Sequence, residues 1–142
     1  MKYIKFFYFL CVSLLFIGCT ARPQKIAFGK DACSFCKMTI VETKFASQIV
    51  TNKGRASKYD AIECMLNDIK DKEENTLKYI LVTDYTKPKK LIDATKATYL
   101  IDKKIKSPMG VFLSAYASKE EAQLNGITLF NWKAIKEHFS NE

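Results

Sequence analysis

The sequence has only one histidine, His138, and only one Cys-x-x-Cys pair, so it lacks the usual ligands of a structural zinc site. Such sites hold zinc with four donors drawn from cysteine, histidine and carboxylate, usually supplied by two paired motifs. The chain also lacks a basic helix face and an alternation of aromatic with basic residues, although its formal net charge is +8. We therefore do not expect nucleic-acid binding, and we interpret the lysines as a solvated surface.

The composition excludes a disordered chain. Hydrophobic residues make up 48% and charged residues 27% of the 142 residues, and 13% are aromatic. These fractions are typical of a chain that packs a core. The length predicts one domain, or two small related halves.

The amino-terminal segment is the one long apolar run in the sequence. Two lysines precede apolar residues over 6–17, and the run ends at Gly18 and Cys19. This run is too short for a membrane-spanning helix and is typical of a secretory signal, and its end resembles a bacterial lipobox. An ordinary signal peptide and an uncleaved anchor are the alternatives. The predicted division is a lipoprotein signal peptide over 1–18, a lipidated tether over 19–30 that begins at Cys19, and a folded domain over 31–142.

Three of the five cysteines remain for the folded domain, because Cys11 lies in the predicted signal and Cys19 is the predicted lipid site. An odd number excludes a full disulfide framework. Outside the cytoplasm, Cys33 and Cys36 could close a disulfide. That disulfide would have to be reduced before the pair bound metal, because the thiolate is the ligand.

The segment Cys-Ser-Phe-Cys-Lys-Met at 33–38 places two thiols three residues apart and a thioether two residues further on. Thiolates and thioethers are soft donors, which select Cu(I). If 33–36 is a turn, both cysteine sulfurs can face one point. If the chain is extended after the turn, Cys36 and Met38 project to the same side. The segment therefore predicts a copper site with Cys33, Cys36 and Met38 as ligands.

A further donor is predicted at Met109, in the loop Ser-Pro-Met-Gly at 107–110. Proline fixes one backbone angle and glycine permits a sharp bend, so the methionine is held in a defined place. The loop can reach the cysteine turn if two halves of the domain pack face to face. The alternative is a methionine that covers the edge of the core.

Other candidate ligands are given structural interpretations. Met65 lies on the apolar face of a predicted helix and is assigned to the core. Cys64 is one residue off that face, and we predict a small buried hydrophobe rather than a ligand. His138, near the end of the last helix, is predicted to be a surface or packing residue.

The secondary-structure pattern repeats. Each half has two β-rich segments, an amphipathic helix and a further β-rich segment. The predicted fold is an α+β domain of two pseudo-repeated strand–strand–helix–strand units. The first half has strands at 45–51 and 55–59, a helix at 60–71 with Asp60 as N-cap, and a strand at 79–85. The second half has strands at 98–101 and 111–116, a helix from the Ser118 cap to 124, a strand at 127–130 and a closing helix at 132–139.

Five segments, in order and behind the lipobox, resemble the NosL family of copper-binding lipoproteins. They are Asp-Ala-Cys-Ser-Phe-Cys-Lys-Met at 31–38, Phe-Ala-Ser-Gln-Ile-Val at 45–50, Tyr-Asp-Ala-Ile-Glu-Cys-Met-Leu at 59–66, the stretch 93–99, and Pro-Met-Gly at 108–110. Together they cover most of the mature chain. Members of the family usually have glycine where Lys37 stands.

The resemblance implies a monomeric Cu(I) carrier without catalytic activity, anchored in a membrane and facing the periplasm. It implies delivery of copper to the maturation of nitrous oxide reductase through a transporter complex of the NosD–NosF–NosY type. The implied fold is similar to that of the organomercurial lyase MerB. Met38, Met109 and one or both of Cys33 and Cys36 would be the ligands.

Other functions stay open from the residues alone. A thiol–disulfide oxidoreductase would use Cys33 and Cys36, but a thioredoxin-like fold has a helix directly after the motif, and the β-branched residues at 39–41 favour extended structure. A lipid-anchored interaction module with an incidental cysteine pair is a further alternative. Carbon–mercury cleavage of the MerB type would rest on analogy of fold alone.

Overall fold

The structure, a computed structural model, describes residues 20–141. The predicted signal peptide and the predicted lipid site at Cys19 lie outside these residues. Within 20–141, no helix combines the length and the apolar character that crossing a membrane requires.

Two antiparallel sheets and three α-helices form the described part of the chain. The first sheet has the strand order β2-β1-β3-β4 and the second has the order β6-β5-β7. The strands are β1 (Ser47–Thr51), β2 (Ala56–Tyr59), β3 (Leu77–Thr83), β4 (Leu91–Asp93), β5 (Thr98–Ile101), β6 (Leu113–Tyr116) and β7 (Leu129–Phe130). The helices are α1 (Ile62–Ile69), α2 (Lys119–Gln123) and α3 (Trp132–Ser140).

The predicted repeat is confirmed at the level of topology. In each half, the first strand is central and pairs antiparallel with both the second and the third strand. A helix separates the second from the third strand in both halves, α1 in the first and α2 in the second. The strand β4 and the helix α3 are additions to this common unit.

Local sequence signals account for several element ends. Gly54 closes the β1–β2 hairpin at φ +85°, a conformation that glycine adopts without steric cost. Ser118 caps α2, because its side chain accepts a hydrogen bond from the backbone N–H of Glu121. The N-cap of α1 was predicted wrongly: Ala61, not Asp60, precedes the first helical residue, and α1 has no side-chain cap.

The boundaries of other elements differ from prediction. The strand β3 begins and ends two residues earlier than predicted, and the three-residue strand β4 was not predicted. The strand β6 begins only at Leu113, because Phe112 has φ +63° and cannot continue a strand. A short edge strand has too few residues to show the alternation of apolar and polar residues by which a strand is predicted.

One apolar cluster joins the two halves, and we refer to it as the main core. It contains Ile49 and Met65 from the first half and Tyr99 and Ile135 from the second. Met65 is fully buried, as predicted. Complete burial of an aliphatic side chain contributes about 1.5–3 kcal/mol. The main core thus fixes α1 between the halves.

The packed domain begins before Asp31. Ile26, within the predicted tether, is buried in the main core. The backbone N–H of Gln24 donates to Gln48 Oε1 at 2.8 Å, and Gln48 Nε2 donates back to the carbonyl oxygen of Gln24 at 2.8 Å. These bonds satisfy the buried amide of Gln48, so part of the predicted tether belongs to the fold.

A candidate metal centre of three cysteines

The cysteine motif lies in a short antiparallel hairpin over 31–40, which we call the motif hairpin. Ala32 and Thr39 form a β-bridge, and the backbone N–H of Cys33 donates to the carbonyl oxygen of Met38 at 2.8 Å. The backbone N–H of Lys37 donates to the carbonyl oxygen of Cys33 at 3.1 Å. The predicted turn and the extended chain after it are therefore present, and no helix follows the motif directly.

Lys37 occupies the position where the hairpin loop requires a left-handed backbone. Its φ is +67°, which is uncommon for a residue with a Cβ atom. Its side-chain ammonium donates to the carbonyl oxygen of Ser34 across the turn. The left-handed residue interrupts the alternation expected of a strand, and Cys36 and Met38 differ accordingly: Cys36 packs against the main core and Met38 is 54% exposed.

The motif hairpin is fixed to β2 by several hydrogen bonds. The backbone N–H of Ser34 donates to the carbonyl oxygen of Lys58 at 2.7 Å, and Lys58 Nζ contacts Asp31 Oδ2 at 2.7 Å. The hydrogen bond from the Lys58 ammonium lowers the pKa of the Asp31 carboxyl most, and the hydrogen bond from the backbone N–H of Ala27 lowers it further. The turn is thus held in place from outside the motif.

Three sulfur atoms converge at this point. Cys33 and Cys36 come from the motif hairpin and Cys64 comes from α1. All three are free thiols, and their Sγ atoms lie within 4.8 Å of one another. Cys33 and Cys64 are each 1% exposed, whereas Cys36 is half-buried. We call this group the cysteine cluster.

The thiol of Cys33 lies among backbone amides. Burial raises the pKa of Cys33, but the N–H groups of Asp60, Cys36 and Phe35 stabilise the thiolate, and the net effect is a pKa below the ordinary value. Burial raises the pKa of Cys64 well above its ordinary value, and the neighbouring Cys33 adds to this effect. Cys33 therefore ionises more readily than an ordinary thiol, and Cys64 less readily.

Cys64 is the residue that sequence reasoning assigned differently. It is buried, as predicted, but it also faces the cysteine pair. The prediction assumed that only one apolar face of α1 is buried. In the structure every residue from Ile62 to Leu66 is buried, so a position just off that face also faces the protein interior.

The two predicted methionine ligands lie at the surface. Met38 is 54% exposed and Met109 is 38% exposed. Met109 sits in a loop between β5 and β6, whose residue Ser107 contacts α1 through Glu63. His138 lies in α3, where the centroid of its ring is 5.5 Å from that of Phe130, a packing position of the kind predicted.

The fold and the site together define a class of protein. This is a small α+β protein whose two repeated halves share a core that contains two free thiols, with a third thiol beside them. Three sulfurs at this spacing form a candidate centre for a soft metal ion.

The chain belongs to the NosL family, whose model matches residues 25–125. Among solved structures it is similar to the crystal structure of the copper chaperone NosL from Shewanella denitrificans, with a TM-score of 0.69 and 18% sequence identity. That similarity covers 80% of this chain and 95% of the other. A comparison with curated proteins finds no match. The family predicted from the sequence is thus confirmed.

Proposed function

We propose that this protein is a metallochaperone that binds one Cu(I) ion at the cysteine cluster. The observation that carries the proposal is the convergence of Cys33, Cys36 and Cys64, whose sulfur atoms lie within 4.8 Å of one another. Thiolate ligands select Cu(I) over harder ions, and a cluster of three sulfurs suits a low coordination number. The similar solved structure is that of a copper chaperone, which supports the same choice of metal.

The cluster favours entry of copper in a defined order. Cys33 offers the first thiolate, because three backbone amides stabilise its charge. Binding then displaces the proton of Cys64, whose pKa burial raises, since the metal ligand is the thiolate. Cys36 is half-buried and provides the side from which copper enters and leaves.

Met38 and Met109 act in this scheme as outer donors. Their thioethers are neutral and soft, and both are exposed, 54% for Met38 and 38% for Met109. An exposed neutral donor is easily exchanged, which suits transfer to an acceptor rather than storage. The protein carries copper and catalyses no reaction of its own.

The proposed client is nitrous oxide reductase, reached through a transporter complex of the NosD–NosF–NosY type. The protein would act as a monomer on the periplasmic side, held at the membrane by a lipid on Cys19. Family membership and the lipobox-like segment that ends at Cys19 support this assignment.

A competition titration tests the metal site. The reduced, purified protein is titrated with Cu(I) against a chromophoric chelator, beside Cys33→Ser and the control Ser114→Ala, whose hydroxyl lies in β6. We expect one tightly bound copper per chain in the wild type and in the control. Cys33→Ser should bind at least about 100-fold more weakly, since even outer partners of a metal ligand contribute 10–100-fold. Equal affinity of Cys33→Ser and wild type would refute the proposed site.

A further inference from the structure

Glu63 is a buried carboxylate with no positive partner among residues 20–141. It precedes Cys64 on α1 and is 2% exposed. Its Oε1 atom accepts a hydrogen bond from the hydroxyl of Ser107 at 2.7 Å, and its Oε2 atom is buried without a partner in the described part of the chain. A buried carboxylate with an unsatisfied oxygen is costly. A residue that destabilises the core at this position calls for a functional explanation.

Ser107 organises the loop 107–112, which we call the Met109 loop. Its hydroxyl accepts a hydrogen bond from the backbone N–H of Phe112 at 2.9 Å, and its carbonyl oxygen accepts one from Gly110 N–H at 3.0 Å. The loop needs these bonds, because Phe112 has φ +63°, a strained conformation for a bulky residue. The hydroxyl of Ser107 thus contacts both the loop that it closes and the carboxylate of α1.

The Glu63–Ser107 hydrogen bond connects the two repeated halves. It joins positions 44 apart in sequence, one on the helix of the first half and one in a loop of the second. Cys64 is one residue from Glu63, and Met109 is two residues from Ser107. Pro108 restricts the backbone between Ser107 and Met109. A single buried contact therefore ties the loop that carries Met109 to the helix that carries Cys64.

We propose that Glu63 and Ser107 are positioning residues that hold Met109 next to the copper held by the cysteine cluster. The inference rests on the proposed function and adds a defined role for the second half of the molecule. The carboxyl group suits this role, because its Oε1 atom accepts a hydrogen bond from the hydroxyl of Ser107 at 2.7 Å inside the core. The link holds the loop backbone beside Met109 in one place, while the thioether itself stays exposed.

A double-mutant cycle tests the inference. Cu(I) affinity is measured by competition for wild type, Met109→Leu, Ser107→Ala and the double variant. We expect Met109→Leu and Ser107→Ala to weaken binding by similar factors, about 10-fold each, as the loss of an outer partner of a metal ligand does. The double variant should be no weaker than Met109→Leu alone, because the hydroxyl acts only through the thioether. A role confined to stability would not produce this non-additivity.

Matched variants keep the test decisive. Glu63→Gln retains an acceptor for Ser107 and should weaken copper binding less than Glu63→Ala does. Glu63→Ala removes the same hydrogen bond from the helix side and gives an independent cycle with Met109→Leu, even if Ser107→Ala fails to fold. Ser114→Ala removes a buried hydroxyl from the second half that bonds within that half, to the carbonyl oxygen of Leu100 and the hydroxyl of Tyr116. Its copper affinity should not change.

Three outcomes would overturn the inference. Additive losses in the double variant would show that Ser107 acts independently of Met109. Wild-type affinity in both Ser107→Ala and Glu63→Ala would show that the link has no role in binding. Wild-type affinity in Met109→Leu would remove Met109 from the site, while loss of copper by Cys33→Ser would leave the proposed function standing. Copper binding by Cys33→Ser at wild-type strength would instead reject the proposed function itself.

Discussion

At the scale of single residues, Cys33 owes its chemistry to the shape of the turn. The backbone N–H groups of Phe35 and Cys36 reach its sulfur from within the hairpin loop, and that of Asp60 reaches it from the segment before α1. Oriented amides of this kind stabilise an anion without a positive side chain. The same geometry requires the left-handed residue at Lys37 that ends the loop.

Lys37→Gly tests the cost of that backbone conformation. The left-handed region disfavours any residue with a Cβ atom by about 1–2 kcal/mol, and glycine avoids the clash. We expect Lys37→Gly to raise the free energy of unfolding by about 1 kcal/mol. The gain is not larger because glycine also loses the hydrogen bond from the Lys37 ammonium to the carbonyl oxygen of Ser34. Denaturation in urea measures the change.

Lys37→Ala is the matched control, because alanine keeps the Cβ atom and loses the ammonium. It should be no more stable than the wild type. A glycine variant that is also no more stable than the wild type would mean that the loop is not strained at this position.

Residue identities predicted that Cys33 and Cys36 come together in a turn, which the structure shows, but not that Cys64 is their neighbour. Cys33 and Cys36 lie three residues apart, and a turn alone brings them together. Cys64 reaches them only because α1 packs in the main core, to which Cys33 and Cys64 both belong. No spacing in the sequence contains that information.

At the scale of secondary-structure elements, the sequence predicted those strands and helix caps that depend on neighbouring residues in the chain. The strand Thr98–Ile101 was predicted with its observed ends, and Ser118 was predicted as the cap of α2. The strand β4 has three residues and forms by pairing with β3, so it depends on its neighbour rather than on its own sequence. Asp60 was misassigned because burial beside the cysteine cluster, rather than capping, determines its place.

The helix α3 offers a test that separates stability from metal binding. Its N-cap is Asn131, whose side-chain oxygen accepts a hydrogen bond from the backbone N–H of Ala134 at 2.9 Å. Asn131→Ala should lower the free energy of unfolding by about 1 kcal/mol, the usual cost of losing a cap. Copper affinity should not change, because α3 contributes no sulfur to the cluster. A parallel loss of affinity would contradict a site built only from the motif hairpin, α1 and the Met109 loop.

At the scale of the whole molecule, the two halves have the same strand order but different tasks. The first half supplies all three thiols, and the second closes the main core over α1. Sequence reasoning predicted the repeat, because the order of elements survives even where residue identities do not. It could not predict how the halves pack, since that packing depends on side chains distant in sequence.

Glu63→Gln tests the cost of burying a carboxylate between the halves. Burial raises the pKa of Glu63, and the hydrogen bond from Ser107 only partly opposes the shift. A carboxyl whose pKa is higher in the folded than in the unfolded chain loses stability as pH rises from its ordinary pKa through the raised one. The variant should therefore be more stable than the wild type at neutral pH.

The pH dependence supplies the control for this variant. The gain should shrink as pH falls and vanish below the ordinary pKa of glutamate, about 4.3, where both states of the wild type are protonated. Urea denaturation at a series of pH values measures it. A gain that does not change with pH would mean that the pKa of Glu63 is the same in the folded and in the unfolded chain.

The most direct test of the account is X-ray absorption at the copper edge for the Cu(I)-loaded protein, compared with Cys64→Ser. The account predicts one Cu(I) per chain with sulfur as the dominant neighbour in the wild type, and loss of one sulfur scatterer when Cys64 is replaced. A first shell dominated by nitrogen or oxygen, or a sulfur shell unchanged in Cys64→Ser, would contradict copper binding by the three converging cysteines.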